Sequence, residues 1–88
     1  MLLTSSIFTQ VAGAEDNCIS DWSIAAPIVR QEGLMTVEQL TPVARQKLKG
    51  DVVKVTLCRE NGAYVFRLVV RGGGGAIKTV TVDAKNPF

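Results

Sequence analysis

Two alternating apolar segments separated by Asn61-Gly62 constrain this chain more than any other feature. Asn-Gly suits a type I′ turn, which needs positive φ at both central positions and matches the twist of two antiparallel strands. With Asn61 and Gly62 as the loop, Glu60 pairs with Ala63, Leu57 with Phe66, Val55 with Leu68 and Val53 with Val70. The last three pairs share one face and are apolar throughout. Turn chemistry and hydrophobic pattern thus select the same register, and a slip of one residue would turn every apolar side chain the wrong way. The other face reads Lys54, Thr56, Cys58, Val65, Arg67, Val69 and Arg71, partly wet and partly coverable.

A third strand is expected over residues 76–83, after Gly72-Gly73-Gly74-Gly75. Val80 and Val82 would face the core, with Thr79 and Thr81 outward. The four glycines lack the Lys-Ser/Thr and the following helix that a phosphate-binding loop needs. They read as a flexible connection between antiparallel strands.

Helices precede the sheet. Residues 20–32 carry Trp22, Ile24, Ala25, Ala26, Ile28 and Val29, with Ser20 and Ser23 as possible caps and Gly33 as a stop. A start at Ser23 keeps Pro27 near the first turn, where it is tolerated. Thr36 and Gln39 form a capping box for a second helix. Val37, Leu40, Val43, Ala44 and Leu48 make its apolar stripe, Lys47 and Lys49 suit its C-terminal dipole, and Gly50 ends it. Pro42 predicts a kink, or a main helix confined to residues 42–49. The expected class is α+β: one or two N-terminal helices on a three-stranded antiparallel meander. The second helix would cover the Val53, Val55, Leu57, Phe66, Leu68 and Val70 face.

Composition narrows the function. At 88 residues the chain is one domain, able to bury only about 60% of its unfolded surface, so a covalent staple matters. It has no histidine, the commonest general base and zinc ligand. The carboxylates Glu15, Asp16, Asp21, Glu32, Glu38, Asp51, Glu60 and Asp83 form no Asp-x-Asp or Glu-x-x-Glu cluster, and Ser20 and Ser23 lack a base. No cofactor and no metal are expected. A small enzyme or metal carrier is the poorly supported alternative. A net charge of +2 without a basic block gives no support for nucleic acid. No apolar run reaches the roughly 18–20 residues of a membrane span.

Residues 1–14 carry no charge and end in Ala12-Gly13-Ala14, a small-residue site of the kind a signal peptidase accepts. No basic residue precedes Leu2 and Leu3, so the n-region of a full signal is missing. Export with cleavage after Ala14 is expected, to a periplasmic or secreted location. The alternative is an apolar N-terminus on a cytosolic protein. Cys18 and Cys58 are an even pair and read as one disulfide. The alternative is two unrelated thiols, with Cys58 a small strand residue. A bond would draw the segment around Cys18, with Trp22 just beyond, over Val65 and Val69.

Gly50-Asp51-Val52-Val53-Lys54-Val55, then Glu60-Asn61-Gly62-Ala63-Tyr64-Val65-Phe66, then Val80-Thr81-Val82-Asp83-Ala84-Lys85 together resemble a PepSY domain over residues 34–86. The family continues past its V-D-A with a Thr-Gly turn and a last short strand; Asn86-Pro87-Phe88 stands here instead. The organisation is then a signal peptide at 1–14, a helical segment at 15–35 and a PepSY-like domain at 36–88. The resemblance implies a non-enzymatic module outside the cytoplasm that modulates or inhibits a protein, either a secreted protease or a membrane sensor ectodomain.

Candidate partner contacts follow from the sheet. Lys54, Arg67 and Arg71 share the face away from the core and would favour an acidic partner. Thr79 and Thr81 lie on a long edge strand with little against pairing beyond Lys78 and Asp83, open to a partner strand or to a second copy as a homodimer. The plainer reading of these charges is a solvated strand face. Trp22 and Tyr64 read as core or rim packing, and Asp83 as an acceptor of backbone N–H groups at its strand end.

Overall fold

The computed structural model describes residues 17–88. The expected signal segment and its cleavage after Ala14 lie outside the described residues. The elements run β1 (Asn17–Ile19), α1 (Trp22–Gln31), α2 (Val37–Leu48), β2 (Gly50–Glu60), β3 (Ala63–Gly72) and β4 (Ile77–Asp83). The four strands form one antiparallel sheet in the order β1-β2-β3-β4. The class is α+β, with one strand more than the sequence suggested. β1 is three residues long and carries no alternation, so its only legible mark was Cys18.

The hairpin register holds where turn and pattern agree. Glu60 pairs with Ala63, Leu57 with Phe66 and Val55 with Leu68, and Asn61 and Gly62 take φ of 52° and 80°. Beyond Val55 the expected pairing fails. Val70 meets Val52, and Val53 bulges out of the ladder, 46% exposed. A bulge sets two residues against one and inverts the side-chain phase beyond it. Val52 and Val53 are both valine, so either satisfied the apolar pattern. Just before the bulge, Gly50 passes close under β3: a Cβ there would lie 2.8 Å from the Arg71 carbonyl oxygen and from Val70 Cγ1.

Both helices are continuous: Pro27 is tolerated in α1 as expected, and the kink expected at Pro42 in α2 is absent. Asp21 caps α1, in place of Ser20 or Ser23. Ser23 instead donates its N–H and its hydroxyl to Asp21 Oδ1, at 3.0 and 2.7 Å. Those two bonds, the hydroxyl's first, hold the Asp21 carboxyl below the ordinary aspartate value. Gly33, at φ 67°, follows the end of α1. The capping box of α2 is present, Gln39 N–H donating to Thr36 and Thr36 N–H to Gln39. Pro42 sits inside α2 with no kinked start; it and Glu38, four residues back, are exposed, so the missing backbone bond lies on the wet side. Lys49 takes the left-handed C-cap at φ 56°, and Gly50 already belongs to β2.

One core joins the layers. Ala25 and Val29 of α1, Leu40 and Ala44 of α2, and Leu57, Phe66, Leu68 and Val70 of the sheet are buried together with Leu34 and Ala84. Trp22 packs on Phe66 with ring centroids 6.4 Å apart. Val80 and Val82 are half-buried at its β4 side, as expected. Both helices therefore cover one face of the sheet.

Candidate functional site

The opposite face carries no described element over it. Register sets its side chains in rows: Cys18, Cys58, Val65 and Asp83; then Thr56, Arg67 and Thr81; then Lys54, Val69 and Thr79; then Asp51, Arg71 and Ile77. Lys54, Arg67, Arg71, Thr79 and Thr81 are thus brought onto one surface. They are not equivalent there. Arg67 donates to Glu60 Oε2 at 2.7 Å, both side chains about one-third exposed, so its charge is already answered within the face. Arg71 lies across from Asp51, which also meets Arg45 Nε at 3.6 Å. Lys54 and Arg71 are exposed. The face is more nearly neutral than the run of basic residues suggested, because Glu60 and Asp51 share its side-chain phase. Ile77, 58% exposed, adds apolar surface at one end, a residue the sequence reading passed over.

Cys18 and Cys58 are bonded, but not across this face. They oppose each other in neighbouring strands, with Cα atoms 4.0 Å apart. Cys58 bonds toward β3, so toward β1 it occupies a non-hydrogen-bonded site, where facing side chains come closest. The bridge therefore extends the sheet sideways. Cys58 is 1% exposed beneath it. The expected passage of Trp22 over Val65 and Val69 does not occur: Trp22 lies on the helix face, where Phe66 offers an apolar surface and a carbonyl stands in reach. Its Nε1–H donates to the Val55 oxygen at 3.0 Å. β1 stops at Leu57, so that carbonyl has no strand partner, and the indole answers it.

The two sheet edges consequently differ. On the β2 side, β1 and its disulfide cover the edge only opposite Leu57–Arg59, and Trp22 answers the Val55 carbonyl just beyond. On the β4 side nothing described covers it. Ala84 N–H donates to the Tyr64 oxygen at 3.0 Å and Gly72 N–H to the Ala76 oxygen at 2.8 Å, which fixes the phase. Even-numbered residues of β4 bond inward, and Ile77, Thr79, Thr81 and Asp83 aim their N–H and C=O groups outward. Gly74 and Gly75, with φ of 81° and 86°, turn the chain into this strand, conformations that glycine adopts readily. Lys85 N–H donates to Asp83 Oδ1 at 2.8 Å, the strand-end role expected of that residue. No further strand follows it among the described residues.

Other surfaces carry less. An apolar groove between the helices is lined by Trp22, Ala26, Val29, Arg30, Val37 and Glu38. A polar one beside the hairpin turn includes Arg59, whose guanidinium lies 5.2 Å over the Tyr64 ring, with Glu32, Asp83 and Lys85. Among the described residues no three His, Cys, Asp or Glu side chains are placed to share a metal, and no helix is long and apolar enough to cross a membrane. No protein-family model matches the chain, and no curated protein or solved structure does.

Proposed function

We propose that this chain is an exported, non-enzymatic protein-binding module of the PepSY kind, which modulates or inhibits a protease or a membrane sensor outside the cytoplasm. The observation that carries the reading is the uncovered sheet face, continuous with an open strand edge and opposite the helix layer. The Cys18–Cys58 disulfide supports an oxidising compartment. Lys54 and Arg71, exposed beside Val69 and Ile77, offer a partner both charge and apolar area.

The test uses the oxidised protein against the proteases and sensor ectodomains encoded beside it. Inhibition in trans distinguishes a protease target, and ectodomain binding a sensor. Lys54→Glu with Arg71→Glu should weaken the complex and flatten its salt dependence; this pair is preferred to Arg67 variants, which also break the bond to Glu60. A complex unchanged in affinity and salt response would leave the face as solvated surface. Intact mass of the native protein should place its first residue at Glu15, and a mass retaining residues 1–14 would remove the export reading.

A further inference from the structure

We propose that β4 pairs with β4 of a second copy of this chain, antiparallel about a two-fold axis through Val80, to make one eight-stranded sheet. The inference stands on the edge alone and does not depend on any other partner. The edge at β1 is three residues long and lies beside a bulge in β2, whereas β4 offers seven residues of regular, uncovered edge, and that difference sets the starting point. Only a chain that brings its own outward N–H and C=O groups can satisfy those of Ile77, Thr79, Thr81 and Asp83 as a strand does.

Backbone phase then limits the register. Outward groups must meet outward groups, so odd residues face odd residues. An axis through Thr79 would set Asp83 against Gly75, which lies in the turn before the strand. An axis through Thr81 would set Ile77 against Lys85, whose N–H is already held by Asp83. An axis through Val80 matches the whole of β4 with itself: Ile77 with the second copy's Asp83, and Thr79 with the second copy's Thr81. Every outward group of the strand is then paired.

Side chains agree with this register. Threonines directly opposite are a favourable cross-strand pair. The half-buried Val80 meets its own copy, and Lys78 lies along the second copy's Val82, its stem over the apolar side chain and its ammonium in water. On the open face Ile77 gains cover, because Arg71 flanks it within its own sheet and the second copy's Asp83 flanks it across the axis. Arg71 and that Asp83 are two strand spacings apart, roughly 10 Å between backbones, a span their side chains together cover. No like charges stand opposite each other. One strand against one strand makes a small interface, so the dimer is weak and concentration-dependent.

Sedimentation of the oxidised protein from micromolar to millimolar concentration should show a reversible monomer–dimer equilibrium. Thr79→Lys with Thr81→Lys puts like charges opposite at both 79/81 pairs and should raise the dimer Kd roughly tenfold or more. Thr79→Lys with Thr81→Glu puts opposite charges at the same pairs and should dimerise at least as well as the parent. Both positions are exposed, so melting curves should show both variants folded. Hydrogen exchange on the unmodified protein gives a reading without substitution: the Thr79 and Thr81 amides should gain protection as concentration rises, and the inward amides of Val80 and Val82 should change little. A protein monomeric throughout, two variants that dimerise alike, or a dimer that leaves the Thr79 and Thr81 amides unprotected would overturn the proposal.

Discussion

Reducing the Cys18–Cys58 bond should cost this domain most of its stability while leaving its core in place. The bond closes a loop with a sequence separation of 40. Releasing that loop returns entropy to the unfolded chain worth about 4 kcal/mol at 25 °C on the chain-entropy model. The folded state gives up little in exchange. β1 holds three residues, its Ile19 is only half-buried, and α1 keeps its own cap at Asp21. Unfolding entropy of about 2.1 cal/mol/K per residue, over residues 17–88, gives roughly 0.15 kcal/mol/K. The melting temperature should therefore fall by about 25 °C on reduction. Far-UV circular dichroism with and without a phosphine reductant measures it. Trp22, the single tryptophan, checks the cold reduced protein, because its indole remains bonded to Val55 and stacked near Phe66 only while the core is intact. A fall of less than about 5 °C, with reduction verified by mass, would show that this bond does not restrain the unfolded chain and would refute the entropic account.

Two further tests address local features. Lys49→Gly should raise stability by about 1 kcal/mol in urea titration, because Lys49 holds a left-handed φ of 56° that glycine adopts without strain. Asp21 should titrate below the free aspartate value of about 3.9 by carboxyl NMR, since Ser23 bonds to its ionised form. A depressed folded pKa stabilises above the unfolded value and is lost as pH falls through the folded one, so fraying at the start of α1 should appear in that acidic window and be absent at neutral pH.

Much of the architecture was legible where two independent signals met. Asn61-Gly62 and the flanking alternation fixed the hairpin from Val55 to Leu68, and Thr36 with Gln39 fixed the start of α2. Legibility failed where one signal stood alone or was degenerate. Ser20 and Ser23 were as good caps by type as Asp21, and only the backbone turn at Asp21 decides among them. Val52 and Val53 are interchangeable to any periodicity. Lys54, Arg67 and Arg71 were found as residues of one face, yet their charge was overestimated, because Glu60 reaches Arg67 only once the strands are paired and twisted.

The sequence by itself determined local geometry and partition: which segments turn, which alternate, which stripe is apolar, and that two cysteines were present to be joined. Those properties depend on residues within a few positions of one another. Tertiary structure alone decided where Cys18 comes to rest, that a three-residue strand forms there, that Trp22 lies under the sheet against Phe66, and that β4 stays an open edge. Each of these depends on residues tens of positions apart, and the free energy that selects them comes from burying apolar surface and satisfying backbone groups such as the Val55 carbonyl, which no local pattern encodes.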